Sequence, residues 1–370
     1  MKYYIIAGEA SGDLHGSNLI KALLEQDIDA EIRCWGGDLM QEAGATLVKH
    51  YKEMAFMGFM EVAMNLGTIL KSVKFCKSDI ADYNPDVIVF IDYSGFNLRI
   101  AKWAKQRGFT TNYYISPQIW ASREGRIAEI KRDIDAMYVI LPFEKEFYEE
   151  KHGFPVHFVG HPLIDAINNR KAISEQDFRK THQLTNGKPI IALLPGSRKQ
   201  EVSKMLQTML SIVDDFGDYT FVIAGAPSLD HDFYDSFLKN PNIGFVSNQT
   251  YDLLNISHAA LVTSGTATLE TALFKVPQVV CYKANWLSYQ IAKRIITLEF
   301  ISLVNLIMKK EVVKELIQND LTTNNLKKEL VKILDGPGRK AQLEAYESLQ
   351  QKLGGQGASS KAATFIAKKA

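Results

Sequence analysis

Cysteine is scarce in this chain of 370 residues. Cys34, Cys76 and Cys281 are odd in number and far apart. They allow no disulfide framework and no C-x-x-C zinc pattern, and they point to reduced thiols in a cytosolic chain. Excess charge is missing as well. Lys+Arg is 43 against Asp+Glu 42, a formal net charge of +1, which does not suit a general nucleic-acid coat, so no nucleic-acid partner is expected. No run of about 18 apolar residues occurs, so no spanning helix is expected. The first apolar run, Tyr3–Ala7, is too short for a secretory signal and Glu9 follows it closely. Any contact with a membrane would be made from the surface. Three signatures are also absent: the dinucleotide pattern G-x-G-x-x-G, the phosphate loop G-x-x-x-x-G-K-[ST], and H-E-x-x-H. The D-x-D pairs Asp27/Asp29, Asp133/Asp135 and Asp230/Asp232 follow no convincing strand end, so they read as surface and no metal site is expected.

What is present is an alternation. Tyr3–Ala7, Val87–Ile91, Thr111–Ile115, Ala136–Leu141 and Val156–Val159 read as short buried strands, with helices at Leu14–Glu25 and Phe96–Gln106. After a polar stretch from Ile167 to Lys188 the rhythm restarts. Ile190–Leu194, Phe221–Ala224, Ile243–Val246, Ala259–Val262 and Val279–Tyr282 read as strands, with helices at Glu201–Asp214, Tyr251–Ser257 and Ala267–Phe274. A βαβ rhythm makes a parallel sheet covered by helices on both faces. The expectation is two doubly wound α/β domains, residues 1–164 and 165–353. A Gly-rich break then leads to a short last helix, about Lys361–Lys369, within 354–370. Ligands of such sheets bind beyond the carboxyl ends of the strands. Two such domains facing each other would enclose one cleft between two rows of strand ends.

The residues just after each strand are therefore the candidates. Gly8-Glu9-Ala10-Ser11-Gly12-Asp13 follows the first strand and reads either as a loop admitting substrate to a helix N-terminus or as a turn with Asp13 as helix cap. Asp92 follows the wholly apolar Val87–Ile91. A partly desolvated carboxylate there has a raised pKa, useful to a general base, although Asp also caps turns. Ser116-Pro117-Gln118-Ile119-Trp120 precedes Arg123 and Arg126, an aromatic with cations that suits a sugar or phosphate. His161, in Gly160-His161-Pro162, is either a ligand donor or a structural residue near the domain junction. In the second domain, Pro195-Gly196-Ser197-Arg198 and Ser264-Gly265-Thr266 are small-residue turns that expose helix N-termini to anions. Glu270 lies one turn into the second of these helices, within reach of ribose hydroxyls. Two anion loops in one domain fit a nucleoside diphosphate. Along 56–75, Phe59, Val62, Leu66, Ile69, Leu70 and Val73 form a core arc. Met57, Met60, Met64 and Phe75 lie opposite, near Lys71 and Lys74, so this side meets acyl chains or a membrane, or else is buried in the fold or a dimer.

Several motifs stand in a familiar order: Gly8–Asp13, Met57-Gly58 with Glu61-Val62, Ile91-Asp92, Ser116-Pro117, Leu141-Pro142-Phe143-Glu144, Gly160-His161-Pro162, Leu194–Arg198, Ser264–Glu270 and Asn305-Leu306. Together they resemble the lipid-A-disaccharide synthases, inverting glycosyltransferases of the GT-B fold. The match runs through nearly the whole chain, and the first and seventh motifs are the more specific. The resemblance implies an N-terminal domain for acceptor and lipid, a C-terminal domain for the UDP-sugar, and a last helix packing back on the first domain. It implies UDP-2,3-diacylglucosamine as donor, 2,3-diacylglucosamine 1-phosphate as acceptor, a β-1,6 disaccharide and UDP as products, and neither metal nor cofactor. It places Asp92 as general base. Arg198 stabilises the leaving UDP, which is bound by Gly196, Ser197, Ser264, Gly265, Thr266, Glu270 and Asn305. Glu9, Ser11, Gly12, Asp13, Ser116, Trp120 and His161 fall on the acceptor side. Met57, Met60, Met64, Lys71 and Lys74 contact acyl chains or the cytoplasmic face of the inner membrane, where a cytoplasmic enzyme would attach peripherally; a homodimer is left open. One departure stands out: Ala121-Ser122 occupy the place where the family often has a second aromatic, which alters that wall of the cleft. A UDP-sugar epimerase, another GT-B transferase or a non-catalytic nucleotide-sugar sensor would use the same second domain.

Overall fold

The computed structural model describes residues 1–53, 66–184, 187–284 and 299–369. The chain forms two compact units. The first is Met1–Asn169 together with the segment from Leu353 onward, and the second is Arg170–Lys352.

The first unit is built on a seven-stranded parallel sheet. Its strands are β1 (Lys2–Ala7), β2 (Glu31–Gly36), β3 (Thr46–His50), β4 (Val87–Ile91), β5 (Thr110–Tyr114), β6 (Ala136–Val139) and β7 (His157–Phe158). They lie in the order β3-β2-β1-β4-β5-β6-β7. Every residue of β4 is buried, as expected of a strand covered by helices on both faces. β2 and β3 were not expected. Their sequences, EIRCWG and TLVKH, mix charges into the pattern because they lie toward the edge, where one side is wetter.

The terminal helix Ala358–Lys369 packs against the helix Ala10–Gln26 of this unit. Asp165 fixes it: its Oδ1 accepts from the Gly357 amide at 2.7 Å and its Oδ2 from the Ser359 amide at 3.3 Å. The expected junction at 164/165 therefore falls inside the helix Pro162–Asn168, which belongs to the first unit.

The second unit carries a six-stranded parallel sheet, β8 (Ile190–Leu194), β9 (Thr220–Gly225), β10 (Ile243–Ser247), β11 (Ser257–Thr263), β12 (Gln278–Tyr282) and β13 (Lys314–Ile317). The order is β10-β9-β8-β11-β12-β13. β13, a polar KELI edge strand, is a further one that the sequence pattern did not reveal. The two apolar faces of this sheet are covered separately, one around Met205, Leu206 and Leu330, the other around Phe178, Leu253 and Leu254.

In the helix Leu66–Tyr83 the buried face runs through Ser72, Cys76, Asp79 and Ile80, with Val73 packed at its side. Leu70, expected on the core arc, is 54% exposed, because it sits two residues from Ser72 and so on the far side of the helix. Phe59 and Val62 of that arc, and Met57, Met60 and Met64 opposite it, lie outside the described residues.

Candidate active site

In the first sheet the strand order reverses between β1 and β4, and such a switch point opens a crevice at the carboxyl ends. Two loops meet there. A Cβ on Gly8, after β1, would stand 2.3 Å from Cγ of Tyr93, after β4, so only glycine fits. Asp92 and Tyr93 both hold left-handed backbone, φ 43° and 46°. This conformation costs L-residues on the order of 1 kcal/mol or more each, so it must be held. Asn97 Nδ2 donates to the Asp92 carbonyl oxygen at 2.8 Å, and the Tyr113 hydroxyl donates to the same oxygen at 2.5 Å. Burial raises the Asp92 carboxyl to a pKa of about 6; the carboxylate of Glu9 adds to this, and the Tyr93 amide opposes it. A carboxylate tuned to that range is ionised at neutral pH yet still basic. Arg126 Nη1 donates to Ser94 Oγ at 3.3 Å, which brings a cation to the same turn.

Around this point the other candidates separate. Glu9 and Ser11 are exposed at the start of the helix Ala10–Gln26, with Glu9 as its N-cap residue. Gly12 is buried, and a Cβ there would lie 3.0 Å from Ala7 Cβ. Asp13 is neither cap of that helix nor open to a ligand. It is buried, its Oδ1 accepts from the amides of Gly37 and Met40 at 2.7 and 3.1 Å, and its Oδ2 accepts from Leu39 at 3.2 Å. Asp13 thus caps the next helix, Asp38–Glu42. His161 is also structural. It caps Pro162–Asn168, Nδ1 accepting from the Leu163 amide at 3.2 Å, and burial, with His15 nearby, pushes its pKa down to about 3. A neutral imidazole there offers no cation to an anionic ligand.

Ser116 and Trp120 share a partner that the sequence did not single out for the site. Glu144, 1% exposed, accepts from Ser116 Oγ at 2.6 Å and Trp120 Nε1 at 3.2 Å on one oxygen. Its other oxygen accepts from the Ile140 and Leu141 amides at 3.1 and 2.9 Å. Burial raises its pKa against the pull of these four bonds. Trp120 also meets Phe143 edge-on at 4.8 Å.

In the second sheet the order reverses between β8 and β11. The two small-residue loops that follow these strands line one pocket of about 250 Å³, with Gly196, Ser197, Ser264, Gly265, Thr266 and Glu270 in its wall. Gly196 has φ 103°, and a Cβ there would meet Glu201 Oε2 at 2.6 Å, so glycine is required. Arg198 is the N-cap residue of Lys199–Leu210. Its guanidinium is exposed, outside the pocket wall, with no hydrogen bond or ion pair to another described residue. Ser264 is engaged twice: its amide donates to the Cys281 carbonyl at 3.2 Å and its Oγ to the Ile301 carbonyl at 2.9 Å. Gly265 and Thr266 are left to present the start of the helix Thr266–Leu273. Glu270 accepts from the Tyr251 hydroxyl at 3.1 Å, and burial raises its pKa.

Asn305 does not face the pocket. It is fully buried, its Nδ2 donates to Val313 O at 2.9 Å and Glu315 Oε1 at 2.8 Å, and its Oδ1 accepts from Val312 and Val313 at 2.8 and 3.0 Å. The residue it serves is Glu315. That carboxylate also accepts from the amides of Ile301 and Ser302 at 3.0 and 2.9 Å and from Ser302 Oγ at 2.7 Å. Ile301 in turn receives Ser264 Oγ, so Asn305 bears on the Ser264 loop through two intermediaries.

Lys71 and Lys74 are exposed on Leu66–Tyr83, beside Leu70 and Phe75, which are 54% and 49% exposed. Among the described residues no helix is long and apolar enough to cross a membrane. Among them the one group spaced to hold a metal ion, His231, Asp232 and Asp235, is exposed.

The fold aligns over all of this chain with UDP-GlcNAc 2-epimerase from Neisseria meningitidis bound to UDP-GlcNAc, at TM-score 0.68, 13% identity and 99% of that chain. It aligns at TM-score 0.64 and 14% identity with the glycosyltransferase of kitacinnamycin, covering 100% of this chain and 98% of the other. At such identities the likeness is one of fold, and it defines a GT-B-like protein of two Rossmann-like domains. Sequence takes the assignment further. The family model described as lipid-A-disaccharide synthetase matches residues 3–370, and the chain belongs to that family. It is 39% identical over 369 residues to the lipid-A-disaccharide synthase of Syntrophus aciditrophicus (98% of this chain, 96% of that one). It is 36% identical over 369 residues to that of Geobacter sulfurreducens (98% and 95%). The chain is a glycosyltransferase of lipid A biosynthesis.

Proposed function

We propose that this enzyme transfers 2,3-diacylglucosamine from its UDP derivative to the 6-hydroxyl of 2,3-diacylglucosamine 1-phosphate, with inversion. The products are the β-1,6 disaccharide and UDP. The observation that carries the reading is Asp92, a carboxyl with a pKa of about 6 on a pinned turn at the switch point of the first sheet. The acceptor oxygen attacks the anomeric carbon from the face opposite UDP. The new C–O bond forms, the bond to the phosphate oxygen breaks, its electron pair leaves with UDP, and the hydroxyl proton passes to Asp92. Arg198 and the amides of Gly265 and Thr266 take up the charge that grows on the diphosphate, so no metal takes part. Glu270 accepts from the ribose. The first unit, with Glu9, Ser11 and Trp120, holds the acceptor.

In this reading the enzyme works in the cytoplasm, attached peripherally to the inner membrane. The exposed Leu70 and Phe75 with Lys71 and Lys74 support a surface contact. The test is to incubate the full chain with donor and acceptor and to follow UDP and disaccharide. Formation of both, dependent on acceptor, is expected. Epimerised UDP-sugar without acceptor, or binding without turnover, would overturn the proposal.

A further inference from the structure

Tyr251 is the first-turn residue of a helix, Thr250–Asn255, that the motifs did not single out. Its hydroxyl donates to Glu270 Oε1 at 3.1 Å. Its ring is fixed from behind, 5.3 Å from the ring of Phe274 at 49°. Phe274 in turn lies 5.2 Å under the guanidinium of Arg170, which donates to Asp252 Oδ1 at 2.6 Å. Thr250 and Glu270 both line the pocket of the second unit. A carboxylate offers about four acceptor directions, so one phenol on Oε1 leaves Oε2 for other donors. It also withdraws one oxygen from rotation and favours the ionised form, against the burial that raises the Glu270 pKa.

We infer that Tyr251 is a positioning residue for nucleotide recognition: its hydroxyl locks the Glu270 carboxylate so that the free oxygen meets the cis-diol of a ribonucleotide. This rests on the reading of Glu270 as the ribose acceptor. Tyr251 touches no reacting atom. Its contribution is to ligand discrimination, which general packing would not supply.

The experiment is calorimetric titration of the full chain with UDP and with 2′,3′-dideoxy-UDP, on the native protein, Glu270→Ala and Tyr251→Phe. Phenylalanine keeps the ring contact with Phe274, so the variant folds. The native protein is expected to prefer UDP, and Glu270→Ala to lose that preference. Tyr251→Phe should lose about tenfold in UDP affinity, the scale of one hydrogen bond to a charged group, while its affinity for the dideoxy nucleotide stays within about twofold. If Glu270→Ala keeps the native preference, the ribose reading itself fails and the proposal with it. If Glu270→Ala loses the preference while Tyr251→Phe keeps it, the ribose reading stands and the Tyr251 proposal is overturned. Equal loss of both ligands in Tyr251→Phe also overturns it, since the phenol would then act on the pocket as a whole.

Discussion

The Tyr113 hydroxyl donates to the carbonyl oxygen of Asp92 at 2.5 Å, from the neighbouring strand, and so pins a residue whose own backbone is in the left-handed region. Strain held by flanking bonds, together with a raised carboxyl pKa, is the combination expected of the general base proposed above.

Asp92→Asn should therefore separate two properties. Turnover falls by roughly 10²–10⁴-fold, since the amide cannot accept a proton. Stability at neutral pH rises, on the order of 1 kcal/mol, because the folded state no longer has to hold a desolvated charge. The sign follows from the shift: a carboxyl with its folded pKa above the unfolded value stabilises the fold while protonated, and that contribution is lost as pH rises toward about 6. Kinetics and thermal melts at pH 7.5 check both. An Asn variant with native turnover would remove Asp92 from the chemistry.

The pH profile gives a second check. Asp92 must be ionised to act, so kcat/KM rises with pH and levels off above about 6. Glu9 raises the Asp92 pKa by like charge, so Glu9→Gln should move the acid limb to lower pH. An unmoved limb would show that Glu9 and Asp92 do not communicate.

Arg198 is exposed and makes no ion pair with a described residue. Its replacement should cost the fold little. Arg198→Ala should weaken UDP binding and slow transfer, and Arg198→Lys should recover little, since a point charge does not reproduce a planar fork on a diphosphate. Equal UDP affinity in all three proteins, measured by titration, would exclude it from the site.

Asn305 should behave in the opposite way. Its buried side chain makes four hydrogen bonds, to Val312, Val313 and Glu315. Asn305→Ala should cost about 3 kcal/mol of stability, read as a lower denaturation midpoint. UDP affinity, measured where the variant is still folded, should weaken only as far as the Ser264 loop loosens. A large affinity loss with an unchanged midpoint would restore Asn305 as a direct ligand.

Asp92 and Asn305 differ in how much of their placement the sequence reveals. Asp92 was legible because a carboxylate directly after five apolar residues must lie at a strand end, and in a parallel sheet that end is where ligands bind. The loops after β8 and β11 were legible for the same reason. Asn305, Asp13 and His161 sit in motifs just as recognisable, yet their side chains are engaged by main chain and by Glu315, and a motif does not say whether its residue faces a ligand or a neighbour. Glu144 and Glu315 carry no local signal as organisers. Their partners include Ser116, 28 residues from Glu144, and Ile301, 14 residues from Glu315, and only the fold brings them together. β3 and β13 were missed because edge strands carry the polar residues that blur a two-residue alternation, and β2, one strand in, because Glu31 and Arg33 interrupt its apolar run.

The exposed face of Leu66–Tyr83 yields the last prediction. Leu70 and Phe75 are 54% and 49% exposed, and Lys71 and Lys74 stand beside them on the same exposed side. An apolar pair flanked by lysines suits the boundary of an anionic bilayer: the apolar groups enter the interface and the ammonium groups stay with the phosphates. Leu70→Ser with Phe75→Ser should reduce binding to vesicles containing anionic lipid, by about thirtyfold if each buried side chain contributes on the order of 1 kcal/mol. Lys71→Glu with Lys74→Glu should reduce it too, and that loss alone should shrink as salt is added. Phe75 also lies 5.9 Å from the buried Trp35 ring, so its replacement loosens one packing contact. A thermal melt therefore accompanies each vesicle measurement, and the lysine pair, exposed and with no hydrogen bond or ion pair to a described residue, serves as the independent arm. Transfer on detergent-dispersed substrate should fall less than transfer on vesicles. Vesicle binding unchanged in both pairs would exclude this face as the one that meets the membrane.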